Sequence, residues 1–572
     1  MLSRWLCSSL LGLVICCSSA AHSTGAQFQI RVDPTRQMGP VTGRLLLMLS
    51  RTNEPEVRLQ VGWITSPPVF GIDVEQLRPG QAAVIDESVA GYPLESLRDL
   101  PAGDYYVQAL LNVYTEFHRA DGHTIWAHMD QWEGQQFNRS PGNLHSKVVK
   151  LHIDTAVQPR IEIDLTEVIP PVPPPVDTQW IRHVRIQSKL LTAFWGHPMY
   201  IGAVVLLPRD YVTQPDVYYP VIYQQGHFGD QPFNFRTEEP TENADERRFR
   251  ERIGVESGYQ FYKVWKSDEF PRAVAITFQH PTPYYDDSYA VNSANLGPYG
   301  DAILTELIPY LEEHFRVIRE PWARVLTGGS TGGWEALALQ LYHPDFFGGT
   351  WAFYPDSVDF RRYGLVNIYE DANAFAADSP RDPQWFRPQW FTVERAMVRT
   401  DDGQTVATVR QLSQLEGVLG SKGRSGGVLA NWEAVYGPVG EDGYPKPLWD
   451  KVTGKIDRNV AVYMRDNGYD LRYYAQKNWS TIGSKLVGKL HIYCGEMDNF
   501  YLNLGVYLFE QFLRTSEHPH YAGAFEYGRP LKPHGWQPMH NAALVRMMAD
   551  QMSRNAPMGT SLAWNPNQAP AH

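Results

Sequence analysis

The run Gly328-Gly329-Ser330-Thr331-Gly332 constrains this chain more than any other feature. A G-x-S-x-G pentapeptide between a strand and a helix puts a serine on a tight turn. Its glycines stand where neighbouring backbone leaves no room for a side chain. The flanks supply that context. Arg324-Val325-Leu326 reads as a strand, and Trp334 to Leu341 reads as a helix, with Glu335, Ala336 and Ala338 as good formers. A strand feeding a helix in this way belongs to a mostly parallel sheet covered on both faces. The helix N-terminus also favours negative charge developing beside Ser330.

A serine hydroxyl needs a base, and the base needs an orienting carboxylate. On such a sheet the chain order is serine, then Asp or Glu, then His. The strand Lys489-Leu490-His491-Ile492-Tyr493-Cys494 is followed by Gly495-Glu496-Met497-Asp498-Asn499. Asp498 is the expected acid, and Glu496 is its local competitor. His534, in Lys532-Pro533-His534-Gly535-Trp536, is the expected base, because Pro and Gly suit a histidine on a fixed loop. His540 begins a helix and is expected to pack or face solvent. The oxyanion needs preorganised donors. One is the backbone N–H of Thr331. The second is assigned to His227, in the loop Gln224-Gln225-Gly226-His227-Phe228-Gly229, where Gly226 allows close backbone approach. Gly226, Glu496, Trp334 and Asp356 are candidate pocket residues, with Asp359 near by. No H-E-x-x-H or similar spacing accompanies His227, so no metal is expected there.

Other strands and helices alternate around these residues. Tyr219-Pro220-Val221-Ile222-Tyr223 and Ala273-Val274-Ala275-Ile276-Thr277-Phe278 read as strands. Between Pro298 and Phe315 the positions Ile303, Leu304, Leu307, Ile308 and Leu311 follow helical spacing. From about Phe360 to Ser484 the chain is rich in Trp, Tyr, Pro and Gly, and it reads as a long insertion at the sheet edge where caps form.

Ahead of this lies a different texture. Residues 27–168 carry short alternating runs such as Phe28–Val32, Val57–Val61 and Val148–Ile153, separated by turn residues. They are expected to form an all-β, sandwich-like domain. Ile169-Pro170-Pro171-Val172-Pro173-Pro174-Pro175 marks a semi-rigid linker over 169–177. The α/β domain is expected over 178–555, and a flexible tail over 556–572.

The amino terminus reads as a secretory leader over 1–21: Arg4, an apolar stretch from Trp5 to Ile15, then Ser18, Ser19, Ala20 and Ala21. Export to the periplasm or outside the cell follows as an expectation. The bulky Ile15 before Cys16 fits a lipidation site poorly. Cys494 is the one cysteine beyond the leader, so no internal disulfide is expected, and its apolar strand gives it a packing role. The formal net charge of −12 repels phosphate backbones, and no Lys/Arg-rich tract offsets it. Nucleic acid is therefore not an expected partner. No second segment is apolar enough to span a bilayer.

The catalytic part resembles the putative-esterase (esterase D-like) family of α/β hydrolases. That group includes feruloyl and other carbohydrate esterases, siderophore esterases and mycolyltransferases. The resemblance rests on Tyr219–Tyr223 with its following Gly226, on the Gly328–Gly332 turn and on His534-Gly535-Trp536. It runs from Thr178 to Met552, interrupted by the insertion. It implies a cofactor-free acyl hydrolase using Ser330, Asp498 and His534 on an α/β-hydrolase fold. Two departures stand out: the loop lacks the family's His-Gly order, and the insertion is long. The expected function is an exported serine carboxylic-ester hydrolase working through an acyl-enzyme on a small-molecule or sugar-linked ester. An acyltransferase or peptidase would use the same residues. A non-catalytic exported glycan-binding protein is the reading of a different class.

Overall fold

The computed structural model describes residues 26–62, 64–155, 160–377 and 393–566. The expected leader over 1–21 lies outside the described residues.

Residues 26–168 form strands and short 3-10 turns, with no α-helix among the described residues. Phe28–Val32 alternates buried and half-buried residues, as a period of two requires for a strand with one face on the core. It pairs with Ile161–Leu165 and Ala82–Ile85 in a three-stranded sheet. A seven-stranded sheet is built around Val41–Ser50, Val69–Leu77 and Gly103–Val113. Phe28, Ile30 and Val32 of the first share a core with Leu45, Leu47 and Leu111 of the second. The run at Val57 is not a strand but a 3-10 turn, Val57–Gln60. Local side-chain bonds displace the ladder there. Arg58 N donates to Gln108 Oε1 at 2.8 Å, and Gln60 Nε2 reaches the Thr52 and Pro55 carbonyls.

Pro170–Pro175 has no regular secondary structure and is exposed. An eight-stranded sheet follows, numbered here in chain order: β1 Ile181–Ser188, β2 Met199–Leu206, β3 Val221–Gln225, β4 Val274–Gln279, β5 Arg324–Gly329, β6 Thr350–Phe353, β7 Leu490–Gly495 and β8 Ala524–Gly528. Their spatial order is β1-β2-β4-β3-β5-β6-β7-β8. β2 runs antiparallel to β1 and to β4, and every later pair is parallel. β3 starts two residues later than the sequence suggests. Pro220 has no N–H for a ladder, and Tyr219 makes only an isolated bridge to Val317. The helix expected between Pro298 and Phe315 contains a π turn, Ile303–Leu307, before Ile308–His314. Pro309 accounts for it, since it donates no N–H and its ring pushes against the preceding turn.

The insertion between β6 and β7 carries helices Val409–Leu419, Val428–Tyr436, Arg458–Asp466 and Leu471–Ile482. The expected flexible tail is docked where it is described. Trp564 is 1% exposed, and its carbonyl accepts from Arg272 N at 2.7 Å. Burying one large indole offsets the ordering of that short segment. No described helix is long and apolar enough to cross a membrane.

Candidate active site

Ser330 sits between β5 and helix Thr331–Tyr342 at φ 58°, ψ −123°. That strained conformation lifts its hydroxyl clear of the sheet. Packing accounts for the glycines. A Cβ on Gly332 would strike the Gln225 carbonyl of β3, and one on Gly328 would strike the Gly332 carbonyl. The turn is tied down on both sides. Ser330 N donates to Phe353 O at 3.0 Å, and Asp356 N donates to Ser330 O at 3.1 Å.

Asp498, fully buried, lies in the turn after β7. Its Oδ1 accepts from the N–H groups of Phe500 at 2.9 Å and Leu502 at 3.2 Å, which leaves Oδ2 for His534 Nδ1 at 2.7 Å. The His534 ring is wedged between Tyr354 and Phe500, with centroids 4.6 and 4.7 Å away. Its backbone N–H is fixed by Asn499 Oδ1 at 3.0 Å. A carboxylate on Nδ1 implies a proton there, so Nε2 is the nitrogen able to accept one. Glu496 turns elsewhere. It accepts from Leu531 N at 2.9 Å and pairs with Arg529 at 3.3 Å.

Ser330 Oγ makes no hydrogen bond to His534 here; it donates to Asp356 Oδ1 at 3.3 Å. Asp356 Oδ2 takes Tyr289 Oη at 2.5 Å, Trp432 Nε1 at 3.3 Å and Thr331 Oγ1 at 3.3 Å. Tyr289 and Trp432 are the residues that sequence reasoning missed. They lie 67 and 76 positions from Asp356, and no local pattern links them.

The Thr331 N–H opens the helix and has no acceptor among the described residues. His227 is less free than expected: its N–H donates to Asp230 Oδ2 at 3.1 Å. The His227 ring lies 3.2 Å from both Asp286 and Asp287. Desolvation opposes its charge, but these two carboxylates outweigh that and hold its pKa well above the ordinary histidine value. Gly226 lies against Asp230, whose Oδ2 a Cβ there would meet at 2.8 Å. Trp334 is not a pocket residue. It is fully buried under the site, packed on Tyr289 and Tyr436, because the helix turns that position inward. Asp359 is also structural, paired with Arg361 at 2.6 Å and Arg472 at 2.9 Å.

Two sets of side chains are close enough to share a cation: His227, Asp286 and Asp287, and His280, Asp287 and Glu335. In the first, an imidazolium at His227 offers no nitrogen lone pair to a metal and offsets one of the two carboxylate charges. In the second, His280 Nδ1 accepts from Ser288 N at 3.0 Å, so a neutral ring carries its proton on Nε2. An Nε2–H cannot ligate a metal.

A cavity of about 520 Å³ opens over Ser330. Its walls include Gly134–Asn138 before the proline run, His227 and Asp286 at the sheet edge, Met397, Leu415 and Trp432 of the insertion, and Phe500 and Leu502 after β7.

Residues 198–385 match the model of a family described as putative esterase. No curated protein matches the chain. Solved structures with a similar course include an S-formylglutathione hydrolase from Staphylococcus aureus, at 14% identity and TM-score 0.30, covering 65% of this chain and 98% of that one. A siderophore hydrolase from Aspergillus nidulans matches at 13% identity and TM-score 0.31, covering 67% and 99%. A ferulic acid esterase from Anaeromyces mucronatus matches at 13% and 0.27, covering 67% and 93%.

Proposed function

We propose that this chain, which matches the putative-esterase family over residues 198–385, is a serine carboxylic-ester hydrolase of the α/β-hydrolase fold. Ser330 is its nucleophile, His534 its base and Asp498 its orienting acid. The observation that carries the reading is the 2.7 Å bond between His534 Nδ1 and buried Asp498, in the loops after β7 and β8 of a sheet whose β5 ends in the strained Ser330.

Ser330 Oγ turns from Asp356 towards His534 Nε2, a movement that substrate binding brings about in many such sites. Oγ attacks the ester carbonyl carbon while its proton passes to Nε2. The tetrahedral oxyanion meets the Thr331 N–H and, once the exposed Asp230 side chain swings away, the His227 N–H. Nε2 then returns the proton to the leaving alcohol, and the acyl-enzyme forms. Water repeats the sequence and releases the acid. Asp498 keeps His534 in the productive tautomer throughout.

The working assembly in this reading is a β module over 27–168, a linker over 169–177 and a catalytic domain over 178–555. A leader over 1–21 directs it to the periplasm or outside the cell. N-terminal sequencing of the protein from its native host, expected to begin near Ala21, checks that point.

The catalytic reading is tested by fluorophosphonate labelling of the purified protein beside Ser330→Ala and His534→Ala. Labelling should vanish in the first and fall steeply in the second. A well-folded wild type that takes no label would overturn the reading.

A further inference from the structure

The carboxylate nearest the nucleophile is Asp356, 6% exposed and bonded to Ser330 Oγ at 3.3 Å through Oδ1. Its other oxygen is taken by Tyr289, Trp432 and Thr331. The Trp432 indole can only donate, and the hydroxyls of Tyr289, Thr331 and Ser330 all reach the carboxylate as donors. Such a set serves an ionised carboxylate. Burial, the largest influence, holds its pKa above the ordinary aspartate value, and the Tyr289 bond and the His227 charge offset this only in part.

An anion at this place hinders the turnover of a plain acyl group. It repels the oxyanion that forms on the carbonyl, and it holds the serine proton away from His534. A positive charge on the substrate reverses both effects. The rest of the cavity agrees. No Lys or Arg lines it among the described residues; the His227 imidazolium on its wall faces two carboxylates at 3.2 Å, and the wall's other carboxylates are Asp286 and Glu416. Those two carboxylates are already engaged. Asp286 pairs with His227 at 3.2 Å, and Glu416 accepts from Leu429 N and Ala430 N at 2.9 and 2.8 Å. Asp356 Oδ1 is left to meet a ligand, beside the aromatic walls of Trp432, Tyr285 and Phe500, which suit a cation.

We propose that Asp356 is an ammonium-binding residue, and that the preferred substrates are esters whose acyl group carries a protonated amine on the α- or β-carbon. This rests on the serine hydrolase reading. An attacking oxygen lies roughly 3–3.5 Å from the carbonyl carbon before reaction. An amine one or two carbons away from that carbonyl then falls within reach of Oδ1, itself 3.3 Å from Oγ. The ammonium takes over Oδ1 and keeps its protons. The hydroxyl it displaces is released to His534.

The test compares ethyl glycinate with ethyl propionate on the full chain, at a pH where the glycinate amine is protonated. The two differ by an ammonium in place of a methyl group. Asp356→Asn preserves shape and removes the charge, so intrinsic ester reactivity cancels between the proteins. The kcat/KM ratio of glycinate to propionate should fall by about 10-fold or more in the variant. An unchanged ratio overturns the proposal. Should Asp356→Asn not fold, the wild type still decides. Propylammonium should slow fluorophosphonate labelling of Ser330 while the isosteric 1-propanol does not, and equal effects, or none, overturn it. A wild type that neither labels nor cleaves any ester sinks the hydrolase reading, and this inference with it.

Discussion

At the scale of single residues, the contest between Asp498 and Glu496 gives the cleanest measurement. Asp498 holds the imidazole at 2.7 Å, while Glu496 is spent on Leu531 and Arg529. Asp498→Asn should lower kcat by about 10³–10⁴ at neutral pH through the wrong tautomer, and Glu496→Gln by no more than about threefold, since it leaves the imidazole alone. Steady-state rates on one ester settle the choice, and the reverse order would reassign the acid. Glu335, beneath Ser330, offers a second test. Burial, then Asp287, raises its pKa well above the ordinary glutamate value of 4.5, and neither oxygen has a hydrogen-bond partner among the described residues. A folded pKa above the unfolded one means that its contribution to stability is complete below pH 4.5 and declines as pH rises, by up to about 1.4 kcal/mol per unit. Glu335→Gln removes that slope and leaves His280 and Asp287 in place. Calorimetry should therefore find the variant gaining on the wild type from pH 5 to pH 8; parallel curves would contradict this. The strained turn at Ser330 and the pairing of Asp498 with His534 were legible in the sequence because each position is announced by its own neighbours: glycines, a strand end, a Pro-His-Gly loop. Asp356 was legible only as a loop aspartate. Its meaning depends on Tyr289 and Trp432, which only folding brings to it.

At the scale of elements, the sheet was readable wherever strands are buried on both faces. Val274–Gln279 is buried throughout and appears in sequence as a mostly apolar run, interrupted only by Thr277 before it ends at Gln279. The Val57 run failed because five alternating residues carry no information about Gln108, whose side chain takes the Arg58 N–H. The long insertion was legible as an interruption but not as a scaffold. Its strand Ala396–Arg399 braces the acid turn, where Arg399 Nε donates to Asp498 O at 3.0 Å and Asn499 Nδ2 donates to Arg399 O at 2.8 Å. The strand–turn–helix around Ser330 is closely packed. A Cβ on Gly332 would meet the Gln225 carbonyl of β3, which is backbone inside the sheet and cannot yield as a side chain would. Gly332→Ala should therefore cost about 1–3 kcal/mol and displace the Ser330 turn. Denaturant unfolding and the fluorophosphonate labelling rate should fall together. A normal labelling rate in a destabilised variant would show that the turn is less tightly specified than its packing implies.

At the scale of the whole molecule, the proline run and the interface make opposite demands. Pro170–Pro175 is exposed and unpaired, as a spacer between independent bodies would be. Yet the strands before it are joined to the insertion by a shared apolar cluster of Leu46, Met48 and Leu110 with Leu415, Val418 and Leu419. Arg44 adds to that seam. Its guanidinium donates to Val418 O at 2.7 and 3.0 Å and to Gly417 O at 3.0 Å, and it pairs with Asp73 at 3.1 Å. Arg424 reaches the same aspartate at 3.1 Å from the insertion side. These groups are largely buried, so salt screens them weakly. The strands also supply Gly134–Asn138 to the cavity wall, which makes them part of the site as well as a neighbour to it. If the contact and not the covalent tether holds the parts together, cutting the tether should change little. A protease site inserted at Val172 and cleaved in the purified protein should leave both pieces in one peak on gel filtration, even in high salt, with the labelling rate of Ser330 within about twofold of the uncut chain, since the contacts that shape the cavity survive the cut. Pieces that separate while the larger one keeps its full labelling rate would mean that the strands are a detachable module and that the cavity wall they form is dispensable.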